Sequence, residues 1–268
     1  GYDKVIMLAG GVGFTKKEES MKGTPEKGDK IILLGGDNYR IGMGGAAVSS
    51  VNTGEYKNVI ELNAVQRSNP EMQKRVANVI RAFVEMTGNP IVSIHDHGAG
   101  GHLNSFSELV DNNGGIIYLN TPPVGDPTLS SKEIIGNESQ ERMGLVIKSE
   151  HIELMRKIAE RERAPFYVVG DVTDDMRFVV IDEKNNEKPI DLTLDDFFGN
   201  PPKTILTDSS EYTIGKSVVD NDNMEITLDD FETHVENVLS LESVGCKDWL
   251  TNKVDRSVTG KVAMQQCV

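Results

Sequence analysis

A chain of 268 residues with 38% hydrophobic content is long enough to bury one large core with an appendage, and its net charge of −14 sets up a field that repels polyanions, which excludes nucleic acid as a partner. The two cysteines, Cys246 and Cys267, are too few for a disulfide framework and lack zinc-site spacing, so a reducing, cytoplasmic setting is expected. No apolar run approaches the length of a membrane span and no signal peptide is recognisable, so no membrane partner is expected.

The start at Gly1, directly before KVIMLAGG, reads as a piece cut from something longer or a processed chain. KVIML (4–8) and IILL (31–34) are short apolar runs closed by glycines, which predicts strands with a polar loop between them. After Gln66-Arg67 the pattern turns helical. Ser68 and Glu71 have the spacing of a capping box with Pro70 in the first turn, Met72, Val76, Val79, Ile80, Phe83 and Val84 share one face, and Gly88 stops the helix. IVSIH (91–95) is the next strand, and a helix around 103–111 turns Leu103, Phe106, Leu109 and Val110 inward. GGIIYLN and GLVIK (144–148) follow as strands, residues 150–163 as an amphipathic helix, and FYVVGDV and RFVVIDE as successive strands. DEKNNEKP is a turn with Asn185-Asn186 at its tip. The order β-α-β-α-β-β-α-β-β over roughly residues 30–192 predicts an α/β fold, a mixed sheet with helices packed on it. Near residue 199 the texture turns polar and weakly periodic. Residues 1–199 are read as the α/β domain, 200–227 as a linker, and 228–268, with the helix FETHVENVLSL, as the incomplete start of a following domain.

Three stretches can carry chemistry. GGDNYRIGMGGAAVSS (35–50) has glycines at 35, 36, 42, 44 and 45, but no Gly-Lys-Ser/Thr and no dinucleotide-fingerprint spacing. It is either a set of turns that lets backbones pack closely or a wall of amides near a phosphate. HDHGAGG (95–101) places Asp96 just past a strand's carboxyl end, where open α/β sheets hold ligand groups. A metal site, a phosphate cradle on the helix-start amides and a plain tight turn all remain open there. Strand alternation sends His95 and His97 to one face and Asp96 to the other, and a lone carboxylate suits magnesium better than zinc. The ordinary reading of each histidine is a partly buried, hydrogen-bonded side chain. GNESQERMGLV (136–146) strings Glu138, Ser139 and Gln140 ahead of a strand; buried without partners they would be costly, so they sit on the surface or meet a polar ligand. Gln66 lies just outside a helix start, where it can present an amide to a ligand or simply to solvent.

In combination, LGGDNYRIGMGGAAVSS, ELNAVQRSNPEMQKRV, NPIVSIHDHGAGGHLNSFSELV, IGNESQERMGLVI and RERAPFYVVGDVTDD closely resemble, in order and spacing, the phosphoribosylformylglycinamidine synthases, in their large single-chain form. The likeness runs from about residue 2 to DRSVTGKVAMQQ (255–266). It implies a fold like the aminoimidazole ribonucleotide synthetase C-terminal domain: the α/β domain of the first synthetase half, followed by the beginning of the second half's sheet domain. It implies an ATP-dependent amidotransferase of purine biosynthesis that converts formylglycinamide ribonucleotide, with ATP and glutamine, to the amidine. Carried over position by position, Gln66 and the run Glu138, Ser139, Gln140 would contact the ribonucleotide, and Asp96 would bind Mg2+. The family's catalytic histidine, ATP loops and glutaminase cysteine fall in other domains of the polypeptide, so the chain alone is expected to be inactive. A small apolar residue is common in the family where this sequence has His97.

Overall fold

The computed structural model describes residues 13–44, 48, 51, 54–64, 69–139, 141–199, 202–205, 207, 227–241 and 243–246. The strand expected at 4–8 lies outside them. The chain divides into two compact units, Gly1–Pro202 and Lys203–Val268. The first holds, in chain order, β1 (Lys30–Leu34), α1 (Asn58–Leu62), α2 (Pro70–Val84), β2 (Ile91–Asp96), α3 (Gly101–Leu109), β3 (Gly115–Tyr118), α4 (Ser131–Gly136), β4 (Met143–Ile147), α5 (Ile152–Glu162), β5 (Phe166–Val172), β6 (Arg177–Asp182), β7 (Glu187–Thr193) and α6 (Leu194–Phe198). The second holds α7 (Leu228–Leu239), capped by Thr227, whose side chain accepts from the Asp230 N–H. No helix among the described residues is long and apolar enough to cross a membrane.

The seven strands form one sheet in the order β2-β4-β1-β5-β3-β6-β7. Only the β3–β6 pair is parallel; the others are antiparallel. The expected mixed sheet with packed helices is therefore present, and β1 shows why its sequence reads as it does. Ile31 and Leu33 join a core with Phe106 and Leu109 of α3, while Ile32 and Leu34 join a second core with Val76, Val79 and Phe83 of α2 and Met155 of α5. A central strand covered on both faces has no polar side to alternate with, hence the unbroken run IILL.

Two local expectations are corrected. The helix α2 is capped by Asn69, whose Oδ1 accepts from the Met72 N–H at 3.1 Å; Ser68, of the expected Ser68–Glu71 box, lies outside the described residues. Pro70 has no N–H and a fixed φ suited to the first helical position, so the cap falls on the residue before it. Residues 187–189 belong to β7 rather than to a turn. β7 is an edge strand, largely exposed, with Pro189 inside it; an edge tolerates a missing donor, and exposure removes the apolar signal. The turn itself is narrower, with Asn186 at φ 53° at its tip.

Candidate functional site

Register brings the three glycine-rich or polar stretches to one end of the sheet. Leu34, the last residue of β1, and Asp96, the last of β2, both pair with Met143, the first of β4. The loop after β1, the corner after β2 and the run before β4 must therefore leave the sheet side by side.

The run before β4 is threaded between the other two. Asn137 Nδ2 donates to Tyr39 O at 2.9 Å and also to Ile41 O. The Glu138 N–H donates to Gly42 O at 2.7 Å. On the other side, the Gly100 N–H reaches Glu138 Oε1 at 3.4 Å. Gly101, at φ 56°, lies so close to Asn137 that a side chain there would run into the Asn137 carbonyl. The loop after β1 is tied in turn to the segment before α2, because Gly42 N–H and Gly44 N–H donate to Asn63 O at 2.9 Å and Ala64 O at 3.3 Å.

Asp96 is exposed at the carboxyl end of β2, and its Oδ1 accepts from the Gly98 N–H at 2.7 Å. The amides at this corner are thus partly engaged already: Gly98 by Asp96, Gly100 by Glu138, and Gly101 by Gly98 O at 3.0 Å. Two of those acceptors are carboxylates, so these amides do not form an open anion cradle. Glu138 and Ser139 are buried, not on the surface. Gln66 and Gln140 lie outside the described residues.

The histidines part company. His95 is half-buried on the α3 side, its Nδ1 2.8 Å from Asp96 O and its Nε2 paired with Glu108. His97 is fully buried, and among the described residues neither of its ring nitrogens has a hydrogen-bond partner, so the hydrogen-bonded reading holds for His95 and is not met for His97 there. Its ring meets His102 edge-on at 4.9 Å and Phe106 at 5.1 Å, while His102 stacks on Phe106. Burial, more than the neighbouring Arg142 charge, pushes both His97 and His102 well below the usual histidine range, so both rings are neutral. Among the described residues no group of three or more His, Cys, Asp or Glu could hold a metal ion, so the three histidines form no zinc site.

Arg142 escaped the sequence reading altogether. Its side chain is fully buried. Its Nε donates to Gly36 O at 2.9 Å, its Nη1 lies 3.4 Å from His102 Nε2, and its backbone N–H closes a turn onto Ser139 O at 3.2 Å. Burial lowers its pKa to about 10, opposed by the charges of Glu141 and Asp37, so it remains a cation at neutral pH. The one sequence signal for it was the unbroken polarity of NESQER ahead of an apolar strand.

Comparison with known proteins fits this geometry. Residues 26–183 match the family "AIR synthase related protein, C-terminal domain". Phosphoribosylformylglycinamidine synthase of Dictyostelium discoideum is 44% identical over 275 residues, covering 99% of this chain and 20% of its own length. The Homo sapiens protein of the same name is 38% identical over 282 residues, covering 99% of this chain and 21% of its own. The chain thus spans about a fifth of the length of these curated relatives. Among solved structures, T. maritima PurL complexed with FGAR superposes with a TM-score of 0.63 at 26% identity, over 72% of this chain and 31% of that one. The same protein complexed with ATP gives a TM-score of 0.57 at 25% identity, over 75% of this chain and 30% of that one.

Proposed function

Since the chain belongs to the AIR synthase related C-terminal domain family, we propose that it is the first-half α/β domain of a phosphoribosylformylglycinamidine synthase, a carbon–nitrogen ligase of de novo purine biosynthesis in the cytoplasm. The observation that carries the reading is the convergence of the 36–44 loop, the Asp96–Gly101 corner and the Asn137–Arg142 run at one sheet end, where the Gly100 N–H reaches Glu138 Oε1 at 3.4 Å beside the exposed Asp96. The substrate is formylglycinamide ribonucleotide, in keeping with the FGAR complex of the T. maritima relative, and ATP is the co-substrate.

In this reading ATP phosphorylates the formamide oxygen, and ammonia from glutamine displaces phosphate to leave the amidine. Glu138 and Ser139, with Gln140 and Gln66, hold the ribonucleotide through hydrogen bonds. Carboxamide and hydroxyl groups bind a glycinamide without adding to the chain's negative field, and Glu138 can accept from its N–H groups. Asp96 fits a magnesium ion: its carboxylate is exposed at a strand end, at the corner whose Gly100 N–H reaches Glu138 Oε1, and magnesium binds through one or two carboxylates while keeping waters and phosphate oxygens. Asp96 would hold the ion, which would supply positive charge to offset the negative charge of the phosphate groups. Residues 200–227 act as a linker and 228–268 begin the next sheet domain, so the chain depends on the other synthetase and glutaminase domains of its polypeptide.

The test is made in the full-length polypeptide. Asp96→Asn abolishes most synthetase turnover, and Glu138→Gln weakens ribonucleotide binding with little change for ATP; wild-type behaviour from both variants would refute the assignment. A second reading, a non-catalytic module for a phosphorylated ligand, follows from the fact that Glu138, Ser139 and Asp96 all lie in this one unit. Calorimetry separates the two: tight ribonucleotide binding by this chain alone favours the module.

A further inference from the structure

We propose that Arg142 is a positioning residue for ribonucleotide binding: its buried guanidinium pins the Glu138–Ser139 turn against the loop after β1, and His102 fixes the guanidinium from behind. The inference rests on the reading of Glu138 and Ser139 as substrate contacts, and goes beyond it to a side chain that touches no substrate.

The anchoring is unusual for a stabilising device. A fully buried cation carries a desolvation cost that an apolar side chain of similar volume would avoid. The hydrogen bonds of the Arg142 side chain go to two neutral acceptors, Gly36 O at 2.9 Å and His102 Nε2 at 3.4 Å; the charges of Glu141 and Asp37 offset only part of the burial cost, and Nη2 has no hydrogen-bond partner among the described residues. What this arrangement gains is geometry. The planar fork reaches the loop after β1 with one nitrogen and α3 with another, while the same residue's N–H closes the turn onto Ser139 O at 3.2 Å. The three segments that make the candidate site are therefore joined through one side chain.

The fit is tight. Gly35, at φ 126°, would place a Cβ 2.8 Å from Arg142 Cγ, so the loop after β1 is shaped around the arginine stem. His102 is specified too. An arginine can only donate, so Nε2 of the neutral ring must accept, which puts the ring proton on Nδ1. Phe106, stacked on the ring with centroids 5.1 Å apart, holds it in that plane.

The experiment compares Arg142→Lys, Arg142→Met and wild type in the full-length polypeptide, measuring KM for the ribonucleotide, KM for ATP, kcat and the melting temperature. Lysine keeps the charge but not the fork. The proposal expects ribonucleotide KM to rise roughly tenfold or more in Arg142→Lys, and further in Arg142→Met, with ATP KM within about twofold, as a misplacement of order 1 Å would give. A lower melting temperature with both KM values unchanged would make Arg142 a scaffold only and overturn the proposal, as would a parallel rise in both. Should the Arg142 variants not fold, His102→Asn, too short to reach the fork, is expected to raise ribonucleotide KM in the same direction; an unchanged value overturns the proposal. The underlying reading fails separately, if Glu138→Gln binds ribonucleotide as wild type does.

Discussion

Gly101 lies against Asn137 with no room for a side chain between them, and this contact sets the distance between the start of α3 and the run that leads into β4. Gly101 also sits at φ 56°, in the left-handed region, so two independent constraints demand glycine. Gly101→Ala is expected to destabilise the chain by at least about 2 kcal/mol, because strain and the clash add. Urea unfolding followed by circular dichroism measures it. A change below about 0.5 kcal/mol, the scale of an indifferent surface substitution, would mean that the corner can open without cost.

Asn69 caps α2 through Oδ1, accepting the Met72 N–H at 3.1 Å. Asn69→Ala is expected to cost about 1 kcal/mol, and Asn69→Asp or Asn69→Ser to cost little. Thermal unfolding of the three variants decides it. Equal losses in all three would show that the hydrogen bond is not what the position supplies.

The sequence makes the frame of this fold legible and leaves its interior polar chemistry hidden. β1, β4 and β6 stand out because a strand buried along most of its length reads as a continuous apolar run, while β2 and β5 are marked by the shorter apolar runs IV and FYVV. β7 does not, since EKPIDLT on an exposed edge has neither the apolar content nor the alternation that marks a strand. At the candidate site, Asp96 is legible from its place at the carboxyl end of a strand, where it is the last residue of β2. Arg142 is not: an arginine inside a polar run reads as solvated, and only the register of β1 and β2 on β4 encloses it. The burial of His97 follows from the same enclosure. Alternation gives the face that His97 takes but not the helix α3 that covers it.

Phe106 joins two environments. It belongs to the core with Ile31 and Leu33, and it stacks on His102. Phe106→Ala is expected to cost about 3–5 kcal/mol, the range for emptying a buried aromatic site. Phe106→Leu keeps most of the volume and removes the ring, so it isolates the stacking contribution, about 0.5–1.5 kcal/mol. A double-mutant cycle of Phe106→Leu with His102→Gln tests this. Additive losses would mean that the two rings are neighbours without coupling.

His102 makes stability depend on pH with a definite sign. In the unfolded chain it titrates near 6.5, whereas burial holds it well below that value in the folded state. Below about pH 6.5 the unfolded chain therefore binds a proton that the folded chain does not, and stability falls as pH falls from there towards the folded pKa. The titratable groups facing the ring are His97, from the corner after β2, and Arg142, from the run before β4; both lower the pKa, so neither reverses the sign. His102→Gln removes the titration while leaving an amide oxygen that can accept from Arg142. Its stability curve is expected to run parallel to that of the wild type above pH 7 and to be shallower below pH 6.5, by on the order of 1 kcal/mol per pH unit. Chemical denaturation at half-unit steps between roughly pH 7.5 and 5 reads the slope directly, and identical slopes for the two chains would show that the ring takes up its proton in the fold as readily as in the unfolded chain.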